Sequence, residues 1–280
     1  QCAPRPVGIL LGLDLTLNPF MNTADWKRVA GRSVAEKAAA LRDPATRARL
    51  VADGSAERDR EKLAGGLVTR FELLFQIGEQ PDYEPSLDDS VAARAARAGV
   101  APEELALDIL LADDGTGMRN RPFLNYVDGG LEGTREMLAH PNTVPGLGDG
   151  GAHVGTICDG SFPTTLLTHW GRDRPEGRFA LEYLVQQQSR DTARTVGLFD
   201  RGVIAPGYRA DLNVIDFDAL GVRRPEIVHD LPAGGRRLLQ RADGYLHTIC
   251  GGSETYASGE STGELPGRLV RGAQPTPGGT

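Results

Sequence analysis

The sequence predicts an α/β fold, and three observations carry that expectation. Residues 6–14 form a short apolar run bounded by Pro and Gly, the pattern of a strand buried on both faces. A long stretch of helical texture follows, with caps and amphipathic spacing. From Gly202 onward, short β-like segments alternate with Gly and Pro turns, so a small β unit begins there. The 280 residues are 40% hydrophobic, which suits one large globular domain or two small ones.

Taken in order, residues 6–14 read as a strand of a parallel sheet covered on both sides. Ser33 and Glu36 have capping-box spacing ahead of residues 37–41, and Asp43-Pro44 opens a further helix that Gly54 can close. Helices are also expected at 87–98, 102–111 and 131–139. The next good strand is 143–148. Roughly 130 residues is too long for a simple crossover, so an inserted helical lid is expected over about 15–125. Helices resume at 162–170, with Ser161 as cap and Pro163 in the first turn, and at 181–189 and 192–197. Strands are expected at 212–216, 245–250 and 253–257. The first unit then spans 1–201 and the β unit 202–271. Residues 272–280, rich in Gly, Pro and Thr, read as a disordered tail.

Composition excludes several partners. Formal net charge is -7 and the basic residues are mixed with acids, which argues against nucleic acid. The most Arg-rich stretch, 223–241, includes Glu226 and Asp230, is followed by Asp243, and has no interleaved aromatics. The apolar run at 7–13 falls far short of the roughly 20 residues a bilayer span needs, so no membrane partner is expected. Residues 1–19 lack the ordered features of a signal peptide, and the sequence opens without Met, so a processed or incomplete chain is expected. Cys2, Cys158 and Cys250 are few, odd in number and widely spaced, as in reduced thiols of a cytoplasmic protein.

The segment richest in chemistry is 144–155, Val-Pro-Gly-Leu-Gly-Asp-Gly-Gly-Ala-His-Val-Gly. An acid at the C-terminal end of a strand faces a pocket, and flanking glycines let substrate or water approach the backbone. Taken alone, Asp149-Gly150 is a turn signal before it is a catalytic one. Gly146, Gly148 and Gly151 match dinucleotide-loop spacing, but the next helix opens too late for that use. The five histidines, His140, His153, His169, His229 and His247, form neither H-x-H nor H-E-x-x-H. His153 has the best claim to share a pocket with Asp149. His169 and His140 read as structural helix residues, and His229 and His247 as satisfied residues of the β region. Cys158 and Asp159 lie within reach of the same pocket, although a buried thiol and a surface acid are the plainer readings.

Residues 202–216, Gly-Val-Ile-Ala-Pro-Gly-Tyr-Arg-Ala-Asp-Leu-Asn-Val-Ile-Asp, resemble the return strand of the amidohydrolase superfamily. Asp149-Gly-Gly-Ala-His-Val-Gly155, Ser161-Phe-Pro-Thr164 and residues 265–271 (Leu-Pro-Gly-Arg-Leu-Val-Arg) resemble its N-acyl-D-amino-acid deacylase branch, the D-aminoacylases. Residues 122–126 and 228–240 resemble the same branch. Gly148, where a small hydroxyl residue is usual, and Thr192, where proline is common, depart from its pattern.

This resemblance implies the C-terminal part of a (β/α)₈ TIM-type barrel from about the seventh strand, carrying the lid and followed by part of a β-sandwich. It implies a metal-dependent hydrolase of the amide bond of N-acyl-D-amino acids, incomplete and inactive in this chain alone. Asp149 matches the catalytic acid and a metal contact. His153, Asn125 and Tyr126 are candidates for the substrate, Asp211 and Asp216 are structural, and zinc is the implied cofactor of the intact enzyme. Ligands matching the H-x-H pair and the middle-strand histidines are absent from the sequence. The alternatives are a related amidohydrolase acting on cyclic amides or other N-acyl groups, and a non-catalytic truncated fragment.

Overall fold

The computed structural model describes residues 1–56, 63–148 and 153–278. Cys2 bridges Pro145 in parallel: Cys2 N–H donates to Val144 O at 2.8 Å and Gly146 N–H to Cys2 O at 3.0 Å. The strand expected at 143–148 shrinks to this one bridge at Pro145, and Pro4, next in line to donate to Gly146 O, has no N–H to extend the ladder.

Strand β1 (Val7–Leu11) forms as the apolar run requires. Its neighbour, however, is antiparallel, which corrects the expected parallel sheet. The order is β1-β3-β2, with β2 (Phe75–Gln76) and β3 (Arg119–Leu124) contributed by the long insertion. Among the described residues the sheets do not close into a barrel.

The insertion is helical where the caps said it would be. Helix α1 (Ala24–Val29) is capped by Thr23 Oγ1, and α2 (Val34–Arg42) by the full Ser33–Glu36 capping box. Helix α3 (Pro44–Ala56) runs through Gly54 instead of stopping there; a Cβ at Gly54 would meet the Phe20 ring at 3.3 Å, so the glycine permits close packing. Helices α4 (Leu63–Thr69), α5 (Val91–Ala98) and α6 (Pro102–Gly115) follow, α5 between a Ser90 cap and left-handed Gly99. Leu11, Phe20, Trp26, Leu41, Leu50, Leu74, Leu107 and Leu110 form the apolar core that joins this layer to β1.

One residue breaks the pattern of that core. Arg119 is fully buried on β3, opposite Leu11, and none of its guanidinium nitrogens has a hydrogen-bond partner among the described residues. Burial alone pulls its pKa down to about 9. A bare buried cation is costly, so Arg119→Met is expected to raise unfolding free energy by on the order of 1–4 kcal/mol in urea titrations. A variant less stable than the parent would show that the guanidinium has a partner the fold depends on.

Beyond β3 come α7 (Glu132–Ala139), with His140 at its C-cap, and α8 (Phe162–Thr168), with Pro163 in its first turn. Ser161 does not cap α8 through its side chain, contrary to expectation; its φ and ψ of -87° and 2° turn the hydroxyl elsewhere. Helix α8 continues as a wide turn over His169–Asp173. Then follow α9 (Leu181–Gln186) and α10 (Thr192–Thr195). Trp170, Leu131, Leu138, Leu166, Leu184 and Leu220 make a second core.

The remaining strands are β4 (Leu212–Ile215), β5 (Gly221–Val222), β6 (Glu226–Leu231), β7 (Gly235–Leu239), β8 (Ala242–Asp243), β9 (Tyr245–Cys250), β10 (Ser253–Ala257) and β11 (Glu260–Ser261). The antiparallel sheet β11-β10-β9-β4 contains the three expected strands, and β5/β8 and β6/β7 form separate pairs. Gly251-Gly252, both at positive φ, turn β9 into β10. Farther along the chain, Gln274 N–H donates to Gly197 O while its own carbonyl accepts from Phe199 N–H.

Candidate active site

The parallel bridge of Cys2 with Pro145 puts two segments side by side. One continues into Arg5. The other continues through Gly148 to Asp149, which lies outside the described residues 153–278 and 63–148. Gly148 abuts α8: a Cβ there would stand 3.1 Å from Pro163 Cδ, a tight contact that glycine avoids.

The chain after the glycines is tied down along its length. Leu238 N–H donates to Val154 O, Thr16 N–H to Gly155 O, and Leu10 N–H to Thr156 O. A Cβ at Gly155 would come within 2.7 Å of Thr16 Oγ1, so a side chain there would require the Thr16 hydroxyl to move. The segment then meets Arg5, whose Nη2 donates to Cys158 O at 2.8 Å and to Ser161 Oγ at 3.1 Å. The Arg5 guanidinium is stacked between Tyr83 (3.9 Å to the ring centroid) and Phe162 (4.5 Å). Ser161 Oγ–H donates to Gln240 Oε1, and Gln240 Nε2 donates to Tyr83 Oη.

Asp159 stands 3.5 Å from Arg5 Nη1, with buried Oδ1 lacking a hydrogen bond. Burial pushes its carboxyl up to about 6 against the pull of Arg5. Burial likewise pushes the Cys158 thiol up to about 11, the condition of an inert thiol.

The other candidates fall in separate places. His153 is exposed, at positive φ, and its carbonyl accepts from Thr156 and Ile157 N–H. Asn125 Nδ2 donates to Ala3 O at 3.2 Å, bracing residues 2–4. Tyr126 Oη donates to Pro85 O, and burial raises its phenol to about 12. Asp211 holds Arg201, Arg209 and Gly251 N–H, and Asp216 accepts from Ala219 N–H; both close turns. Arg5, Tyr83 and Gln240 carry no sequence signal, since each is isolated in the chain and acts only through distant partners.

A second polar cluster lies nearby. Glu84 accepts from His169 Nε2 at 2.8 Å, from Arg174 and from Leu131 N–H. Burial pushes the Glu84 carboxyl up, but those donors together bring it to about 2.

The described histidines and acids do not fit the zinc that the sequence resemblance implies. His169 is committed to Glu84, His229 to Asp14 and His247 to Glu254, while His140 Nδ1 accepts from Asn142 N–H. Among the described residues no three His, Cys, Asp or Glu side chains converge as metal ligands. Among the same residues no helix is long and apolar enough to cross a membrane.

Comparison with known proteins gives the family. A 5-methylthioadenosine/S-adenosylhomocysteine deaminase of Desulfitobacterium hafniense (strain DSM 10664 / DCB-2) is 39% identical over 85 residues, 27% of this chain and 20% of the deaminase. Among solved structures, a D-aminoacylase described as defining a novel subset of amidohydrolases is similar at 21% identity and TM-score 0.39, over 68% of this chain and 36% of its own. A D-aminoacylase mutant in complex with copper chloride is similar at 20% identity and TM-score 0.43, over 85% and 46%. The chain thus spans less than half the length of the solved D-aminoacylases it matches. The profile of the Amidohydrolase family matches residues 2–256, and the chain belongs to that family.

Proposed function

We propose that this chain is the C-terminal half of a hydrolase that removes the acyl group from N-acyl-D-amino acids, with Asp149 as its general base. The observation that carries this reading is the place of Asp149 in the chain. It comes shortly after Pro145, which bridges Cys2 in parallel, within a family match covering 2–256. Catalytic groups of barrel enzymes sit at the C-terminal ends of such strands.

In this reading Asp149 accepts a proton from the attacking water and delivers it to the departing amine, which is too poor a leaving group as an anion. His153 and the insertion residues Asn125 and Tyr126 are the proposed substrate contacts. Because His140, His169, His229 and His247 are engaged elsewhere, no step is assigned to a metal held by this chain.

Amine release from N-acetyl-D-glutamate, N-acetyl-D-methionine, their L-enantiomers and a cyclic amide tests the reading in a protein that joins this chain to the rest of a barrel. Preference for the D-amino acids supports it; turnover of the cyclic amide alone would replace it with the related amidohydrolase. The 280-residue chain by itself is expected to retain no stoichiometric zinc after dialysis and to release no amine, because a catalytic site needs about three fixed protein ligands. One tightly held zinc per chain would refute that expectation.

A further inference from the structure

We propose that the cleft between residues 79–86 and the turn after α8 binds a linear polyamine, with Asp82, Glu176 and Asp218 meeting its ammonium groups at the rim and Thr168 and His169 accepting hydrogen bonds on the floor. The proposal does not rest on the deacylase reading, because it uses none of the residues assigned to that reaction.

Three stretches form most of the wall: the insertion around Tyr83, the end of α8 with its wide turn, and residues 218–223 leading through β5. The cleft has a volume of about 1100 Å³, room for an extended small molecule. Among the described residues eight Asp and Glu side chains line it against three Arg, so the space is negative and draws cations.

The hydrogen-bonding groups define the ligand more sharply than the net charge does. The donors are committed. Arg172 gives its N–H groups to Asp173 and to the carbonyls of Phe217, Asp218 and Leu220. Arg174 gives its own to Glu84, Glu132 and Glu176 O, and Arg223 pairs with Asp243. The acceptors are open. Asp82, Glu176 and Asp218 are exposed and have no ion-pair partner among the described residues, Asp82 accepting only the Glu84 N–H. Thr168 is 5% exposed and lines the cleft, yet its hydroxyl makes no hydrogen bond among the described residues. His169 bonds Glu84 through Nε2 and leaves Nδ1 without a partner among them. An unsatisfied buried hydroxyl is costly, and a donor-rich ligand offsets that cost.

A compact divalent ion does not suit this arrangement. No three His, Cys, Asp or Glu among the described residues converge as metal ligands, so the negative charge is spread along the cleft and not focused on a point. A polyamine spaces its ammonium groups along a methylene chain and so matches separated carboxylates, while Pro81, Leu220 and Val222 give the methylenes apolar contact.

Isothermal titration of the 280-residue chain with spermidine, in about 0.1 M salt to screen diffuse attraction, tests the site without requiring turnover. Saturable binding of one spermidine per chain is expected, with no binding of inorganic phosphate. The triple variant Asp82→Asn, Glu176→Gln, Asp218→Asn is expected to bind about tenfold more weakly or worse, because three exposed charge contacts of modest strength are lost together. Glu264→Gln, which removes one charge outside the cleft, is expected to stay within about twofold. Thr168→Val keeps the side-chain shape and is expected to weaken spermidine roughly threefold or more with no loss of stability in urea, as befits a hydroxyl with no partner in the fold. This variant tests the floor of the cleft independently of the rim. Absence of saturable binding, unchanged affinity in the triple variant or in Thr168→Val, binding of phosphate in place of spermidine, or displacement of spermidine by an equal concentration of Mg²⁺ would each overturn the proposal.

Discussion

Asp149→Asn, in a protein that completes the barrel around this chain, is expected to keep its fold and lose deacylase turnover by at least ~10². Asparagine has nearly the same shape as aspartate but cannot accept the proton of water, and general-base catalysis contributes about 10²–10⁴ in rate. Loss should fall on kcat and kcat/KM alike, because the missing interaction exists only along the reaction path. Steady-state kinetics with N-acetyl-D-methionine, beside circular dichroism to verify folding, make the measurement. Turnover within a few-fold of the parent would remove Asp149 from the catalytic role.

The second large effect is expected on stability, at Glu84. Its carboxylate joins His169, Arg174 and Leu131 N–H, and the Arg174 side chain is only 8% exposed. Removing the acid leaves that guanidinium with Glu132, which is 72% exposed, as its remaining acidic partner. Glu84→Gln is therefore expected to cost about 3–5 kcal/mol, the range for breaking one side of a buried pair. The pH dependence has a definite sign. Glu84 is held at about 2, below its ordinary 4.5, so its contribution is complete above about 4.5 and disappears as pH falls through about 2. The difference in unfolding free energy between parent and variant should shrink over that interval. Asp159 works in the opposite sense: raised to about 6, it favours the fold at low pH and ceases to do so as pH rises through about 6. Taking the difference between parent and Glu84→Gln cancels that contribution. A gap between the two proteins that stays constant from pH 7 to pH 2 would show that Glu84 is not the group responsible.

What the sequence determined by itself is short-range. The Ser33–Glu36 capping box, the first turn of α8 at Pro163, and the β9–β10 hairpin are written in residues a few positions apart, and local hydrogen bonds or steric limits decide each of them. The family was also legible, because the motifs at 149–155 and 202–216 are contiguous. Tertiary structure alone decided whatever joins distant residues. An apolar run marks residues 7–11 as a strand, yet nothing in it says whether the neighbour runs parallel or antiparallel; hydrogen bonding to β3 settled that. Ser161 looked like a helix cap because caps are local, but Arg5 and Gln240, 156 and 79 residues away, take its hydroxyl. Arg119 sits in a core that its own charge argues against, since burial belongs to the whole strand and not to one residue. The meeting of Arg5, Tyr83 and Gln240 could not be read at all: stacking and forked hydrogen bonds depend on Å-scale proximity, and residues 5, 83 and 240 acquire that proximity only when the chain is folded.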